Sequence, residues 1–161
     1  MIIGISGHGP IHLPCKYNKS HDFYLSCINK LKEYLSSHKA NLIISGMALG
    51  WDQWVVEECI KLSIPFSAYI PFPSQYIQWP NFAQKKYIQL LKKAQKIVTI
   101  SKDPYSVEKM IKRNVAVVDA SDIMLVLWNP KIRHGGTFQC VHYAEEKGKK
   151  VVNLWEAQKK Y

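Results

Sequence analysis

At 161 residues, 47% apolar and 21% charged, the chain has the size and makeup of one globular domain able to bury roughly 70% of its unfolded surface, which excludes disordered and fibrous classes. Twenty-two basic residues against twelve acidic ones give a net charge of +10, yet only Arg113 and Arg133 are arginine; bidentate phosphate and guanine contacts favour arginine, so the skew makes nucleic acid the lesser partner class. Cys15, Cys27, Cys59 and Cys140 form no C-x-x-C pair, the first residues carry no basic leader, and no run approaches the ~18 apolar residues of a membrane span, so the expectation is a cytoplasmic protein with no membrane contact and no metal.

Short apolar runs alternate with helical patterns throughout, which predicts a single α/β domain over 1–161: a Rossmann-like three-layer sandwich with a mainly parallel sheet of about six strands. Strands are expected at 2–6, 41–45, 66–70, 96–100, 122–128 and 150–154, mostly continuous apolar runs suited to strands covered on both faces. Phe23, Cys27, Ile28, Leu31 and Leu35 mark one helical face, and Trp51, Trp54, Val55, Cys59 and Leu62 the next, with Glu57 and Lys61 paired four apart. Asn81 with Gln84 reads as a capping box for a helix reaching about residue 94, whose Lys85, Lys86, Lys92 and Lys93 form a solvated face. Val107, Met110, Ile111, Val115 and Val118 give a fourth stripe, and residues 137–147 a fifth helix closed by Gly148, before a short tail at 155–161.

Ligands of such sheets sit beyond the carboxyl ends of the strands, and the unusual loops all project there. Gly7-His8 leaves the first strand. Ser45-Gly46 to Gly50 precedes a helix whose first turn carries Asp52, a carboxylate placed to accept from a ribose hydroxyl. The loop at 71–75 brings Gln75, and Trp79 follows as an aromatic that either stacks on a base or forms a lid or dimer contact. Arg113 either clamps a phosphate or pairs with Asp119 or Asp122. Trp128-Asn129 through Gly135-Gly136-Thr137 has the strongest claim to chemistry: two glycines, a hydroxyl and a helix N-terminus form an anion nest. His8 and His12 are four apart, but Gly9 and Pro10 prevent a helical face that would bring both to one metal. No conventional dinucleotide fingerprint is present, since Gly4-Ile5-Ser6-Gly7-His8-Gly9 is not G-x-G-x-x-G.

The order of these pieces resembles the SLOG superfamily, which joins the DNA-processing protein DprA (Smf) to the Lonely Guy phosphoribohydrolases, and within it the YpsA-like branch. The resemblance covers nearly the whole length. It implies a Rossmann-like domain, often dimeric, that binds nucleotides or nucleotide-derived ligands without a resident cofactor, and it aligns Gly135-Gly136-Thr137 with the phosphate turn of the Lonely Guy P-G-G-x-G-T-x-x-E loop. The catalytic Glu of that loop has no counterpart, because Phe138, Gln139 and Cys140 follow and the next carboxylate is Glu145. Cleavage through an oxocarbenium-like state needs a carboxylate near the sugar, for which Asp52, Asp119 and Asp122 are the candidates. Three functions follow as expectations: binding of a nucleotide or ADP-ribose-like molecule as sensor or sequestering protein, hydrolysis or deoxyribosyl transfer on nucleoside 5′-monophosphates, and single-stranded nucleic-acid binding.

Overall fold

The computed structural model describes residues 1–156; the end of the tail expected at 155–161 lies outside the described residues. Six strands, β1 (Ile2–Gly7), β2 (Leu42–Ser45), β3 (Phe66–Ile70), β4 (Lys96–Thr99), β5 (Ile123–Leu127) and β6 (Lys150–Asn153), form one sheet in the order β4-β3-β2-β1-β5-β6. Every pairing is parallel, where the sequence predicts a mainly parallel sheet. Five helices connect them: α1 (Asp22–Ser37), α2 (Trp51–Lys61), α3 (Asn81–Leu91), α4 (Val107–Asp119) and α5 (Gly135–Glu146).

The period-two alternation of side chains along a strand splits each apolar run between two cores. Ile3, Ile5, Ile43, Leu125 and Leu127 meet α1, α2 and α3 on one face, while Ile44, Met124 and Val126 meet α4 and α5 on the other. The two cores hold all four cysteines, buried and free. The chain therefore winds outward from β1 to β4, crosses the other face through α4, and re-enters beside β1 as β5. The carboxyl ends of β1 and β5 are the point where the winding reverses, and connections leaving them part to form a crevice. Among the described residues no helix is long and apolar enough to cross a membrane.

Three local expectations are corrected. Asn81 does not cap α3: the N-cap is Pro80, which has no N–H for a capping box to bind, and Gln84 instead donates its amide to the carbonyls of Trp79 (2.8 Å) and Ile77 (3.1 Å). Glu57 pairs with Lys19 and Lys86, and Lys61 turns to Glu58 at 2.8 Å, because Glu57 faces the junction with α3. The buried face of α4 consists of Arg113, Val117 and Val118, with Met110, Ile111 and Val115 half-buried and Val107 exposed, so it overlaps the expected stripe fully only at Val118.

Gly50 is the N-cap of α2 at φ 90° and ψ −126°, a region closed to residues bearing a Cβ, and an added Cβ would lie 2.5 Å from the His8 carbonyl oxygen. That carbonyl already accepts from the Trp51 N–H at 3.3 Å, so neither chain can yield. Gly50→Ala is expected to cost about 2 kcal/mol or more, read as a lower urea midpoint at unchanged slope.

Candidate functional site

A cleft of about 220 Å³ opens at the carboxyl ends of β1 and β5. The β1 exit supplies Gly7 and His8, the turn before α2 supplies Gly46 and the first turn of that helix Asp52, α4 supplies Arg113 and Asn114, and α5 opens onto it with Gly135, Gly136 and Thr137. Four separated stretches of the chain thus meet at one rim.

The two glycine turns do different work there. In the first, the Met47 and Ala48 amides are already engaged, donating to Ser45 Oγ at 3.1 Å and Asp52 Oδ2 at 3.2 Å, and Ser45 Oγ itself donates to the Asp52 carbonyl. Gly46 is glycine because Arg113 lies against it: an added Cβ would sit 2.5 Å from the guanidinium. Ser45, Gly46 and Gly50 therefore build the wall, and the Met47 and Ala48 amides between them are engaged within the protein. In the second turn, a Cβ at Gly135 meets nothing within 4 Å, and at Gly136 only Asn114 Nδ2 at 3.6 Å. The N-cap His134 makes no side-chain cap, so the first-turn N–H groups of α5 face the cleft with the positive end of the helix behind them.

Arg113 is 4% exposed and holds the two turns in register. Its Nη1 donates to the Gly46 carbonyl and its Nε to Asn114 Oδ1 at 3.0 Å, while Asn114 Nδ2 donates to the Gly136 carbonyl at 3.3 Å. Asp119 and Asp122, expected as its partners or as catalytic acids, lie at the other end of the sheet. Asp122 Oδ2 accepts from the Ile2 N–H at the start of β1, and Asp119 accepts from the Tyr143 hydroxyl at 2.8 Å. The acid whose field Arg113 feels is Asp52.

Asp52 is 5% exposed, and its Oδ1 is buried without a hydrogen-bond partner although the residue lines the cleft. Burial pushes its carboxyl from the ordinary 3.8 up to about 6, outweighing the attraction of Arg113 and the Ala48 N–H. His8 moves the opposite way, from 6.5 to about 4, by burial first and then by the nearby His12 and His134. The Asn129 N–H donates to His8 Nε2 at 2.9 Å, so the neutral ring carries its proton on Nδ1. Asn129 thus acts by orienting His8 rather than by lining the cleft.

Gln75 and Trp79 line a second, adjoining cavity of about 670 Å³, and Trp79 rests edge-on against Tyr87 at the margin of the core. The sequence reading missed Met110, which borders both cavities, and His12 and His134, whose rings follow His8 across the mouth at 5.2 and 6.1 Å between successive centroids. The signal for Met110 was present in the α4 stripe, but an apolar stripe reads as core unless the helix's rotation is known.

A doubly wound, all-parallel α/β sheet with a crevice at its switch point defines a Rossmann-like domain. The chain belongs to the YspA SLOG family, whose YpsA model matches residues 3–156. It is 34% identical over 93 residues to a UPF0398 protein from Halalkalibacterium halodurans, covering 54% of this chain and 49% of that one, and 30% identical over 108 residues to another from Shouchella clausii, covering 63% and 57%. The chain thus spans about half the length of these curated relatives. Its fold is similar to DNA processing protein A from Helicobacter pylori, a structure concerned with single-stranded DNA binding (TM-score 0.66, 22% identity, 98% of this chain and 66% of that one). It is also similar to DprA from Streptococcus pneumoniae (TM-score 0.65, 13% identity, 96% and 50%).

The opposed shifts of Asp52 and His8 give a sign-resolved test. Between pH 3.8 and about 6 the folded chain holds a proton on Asp52 that the unfolded chain has released, so this contribution to stability falls as pH rises. Between about 4 and 6.5 the unfolded chain holds a proton on His8 that the folded chain lacks, so this contribution rises with pH. Relative to the wild type, Asp52→Asn is expected to make stability climb between pH 4 and 6 and His8→Gln to make it decline, each by up to ~1.4 kcal/mol per pH unit. Urea denaturation across that range reads both slopes.

Proposed function

We propose that the cleft binds a nucleotide-derived ligand, with phosphate on the amides of Gly135, Gly136 and Thr137 and a sugar hydroxyl donating to Asp52 Oδ1. SLOG family membership and the fold shared with DprA support nucleotide- or nucleic-acid-related binding at the coarse level. The single observation that carries the finer reading is the buried, unpartnered Asp52 Oδ1 beside an uncapped helix N-terminus. An acceptor left without a partner in a buried place costs about 1–3 kcal/mol, and more when charged, so a ligand donor that fills it gains that difference on binding. At pH 7 a carboxyl with its midpoint near 6 is mostly ionised and accepts. The role is that of a sensor or sequestering protein, and a homodimer belongs to the same reading.

Thermal denaturation across a panel of nucleoside mono- and diphosphates and ADP-ribose checks it. A ligand at 100 times its Kd adds about 2.7 kcal/mol of stability. Gly136→Ala separates site from scaffold: alanine is the better helix former by about 0.8–1 kcal/mol, so the apo variant is expected to be as stable as the wild type or more so, while a methyl group at the phosphate amides lowers affinity at least tenfold. A variant that binds normally overturns the phosphate placement.

A second reading is favoured by the same carboxyl. An acid raised to about 6 beside a phosphate cradle is suited to N-glycosidic cleavage of a nucleoside 5′-monophosphate, acting as general base or nucleophile. Free base released on incubation, resolved by chromatography and abolished by Asp52→Asn, is its expected outcome. Absence of release from every purine and pyrimidine monophosphate at high protein concentration leaves binding alone. Affinity that falls steeply with salt for single-stranded DNA would instead point to nucleic acid.

A further inference from the structure

The cleft of about 220 Å³ is small for a whole ligand, since ligand sites commonly run from about 300 to 1,000 Å³. Gly9, Ala48 and Met110 line both this cleft and the cavity of about 670 Å³ beside it, so the two adjoin along those residues. The second cavity differs in chemistry: Ile11, Tyr17, Phe72, Trp79 and Tyr105 make it predominantly apolar and aromatic. Ile11 is 78% and Tyr105 63% exposed, which is large apolar area left facing solvent at one place.

Within this apolar lining sits a second orphaned acceptor. Gln75 Nε2 donates to the Tyr87 hydroxyl at 3.0 Å and to the Gly46 carbonyl at 3.4 Å, which fixes the amide's orientation and leaves Oε1 buried without a partner. Each cavity thus contains one buried acceptor lacking a donor, Asp52 Oδ1 in the small polar one and Gln75 Oε1 in the large aromatic one.

On the reading of the cleft given above, we propose that the second cavity is the base subsite of the same ligand, and that it selects a base bearing an exocyclic amino donor. The phosphorylated ribose fills the polar cleft, the chain of the ligand passes Ala48 and Met110, and the base lies among the aromatic side chains with its exocyclic N–H donating to Gln75 Oε1. A flat heteroaromatic ring suits such walls because every base presents a π-face, and the lone acceptor then separates donor-bearing bases from those without one.

Isothermal titration of the whole chain with ribose 5-phosphate, purine riboside 5′-monophosphate and AMP tests this. AMP is expected to bind at least tenfold tighter than ribose 5-phosphate, with the amino-free nucleotide between them. Tyr105→Ala and Ile11→Asp alter exposed positions that the core does not need, and each is expected to shrink the advantage of AMP several-fold while leaving ribose 5-phosphate within twofold. AMP no tighter than ribose 5-phosphate, or variants that weaken both alike, overturns the base subsite and leaves the phosphate reading standing. An amino-free nucleotide as tight as AMP overturns the Gln75 contact. Binding of none of the three at millimolar concentration overturns the cleft reading and this one with it.

Discussion

The buried guanidinium of Arg113 is the constraint on which the site depends. A charge taken out of water must find partners, and a group 4% exposed on a helix that crosses the sheet has few within reach. The Gly46 carbonyl and the Asn114 side chain meet that demand, and the second bond extends through Asn114 to Gly136. One cation therefore fixes the spacing of two loops separated by about ninety positions in the chain. Because its fork is planar and its donors diverge, lysine could not span the same set of acceptors. Gly46 accommodates the guanidinium with no side chain of its own, so the residue that reads as a ligand-approach glycine is occupied by the protein.

The same burial sets the character of Asp52. Removing its carboxyl from water raises its proton affinity even with Arg113 nearby, and leaves Oδ1 unsatisfied. This is a local sacrifice of stability at the place where the winding of the sheet brings the most loops together. Under the proposed function, a donor arriving from outside would relieve that cost. His8 shows the complementary case, kept neutral by burial and turned by the Asn129 amide so that its protonated nitrogen is defined.

Much of the fold is legible in the sequence because doubly buried strands write themselves as uninterrupted apolar runs: 66–70 is β3 residue for residue, and the other strands differ at their ends by one or two. The rim location of Gly7, Gly46 and Gly136 follows from the same periodicity, since strand ends fix where loops emerge. What was not legible is orientation about a helix axis. The α4 stripe of Val107, Met110, Ile111, Val115 and Val118 predicts one buried face, yet the buried residues are Arg113, Val117 and Val118, and Val107 faces solvent. Local pattern carries no record that a charge will be drawn inward by a carbonyl sixty-seven positions away. Asp119 and Asp122 fail for a related reason: they sit near Arg113 in sequence, but a helix of thirteen residues carries them to the opposite end of the sheet. Pro80 likewise hides in the Asn81–Gln84 pattern, since a motif match does not register a missing N–H.

The loop that opens α5 decides how far toward chemistry the site has moved. Gly135, Gly136 and Thr137 line the cleft, but the following turn offers Phe138, Gln139 and Cys140 in place of an acid. Cys140 is no substitute nucleophile, being buried with its thiol pushed up to about 11, chiefly by desolvation. The one carboxylate among the described residues lining the cleft is Asp52, contributed by a different helix and approached from the other side. An anionic ligand placed on α5 would bring more negative charge toward a carboxyl whose midpoint burial has already raised to about 6, and so would draw it toward its protonated form. Protonated, Asp52 would give a hydrogen bond to a ligand oxygen; ionised, it would take one from a hydroxyl or activate a water. On either proposed reading, the protonation state of Asp52 sets whether it gives or takes that hydrogen bond.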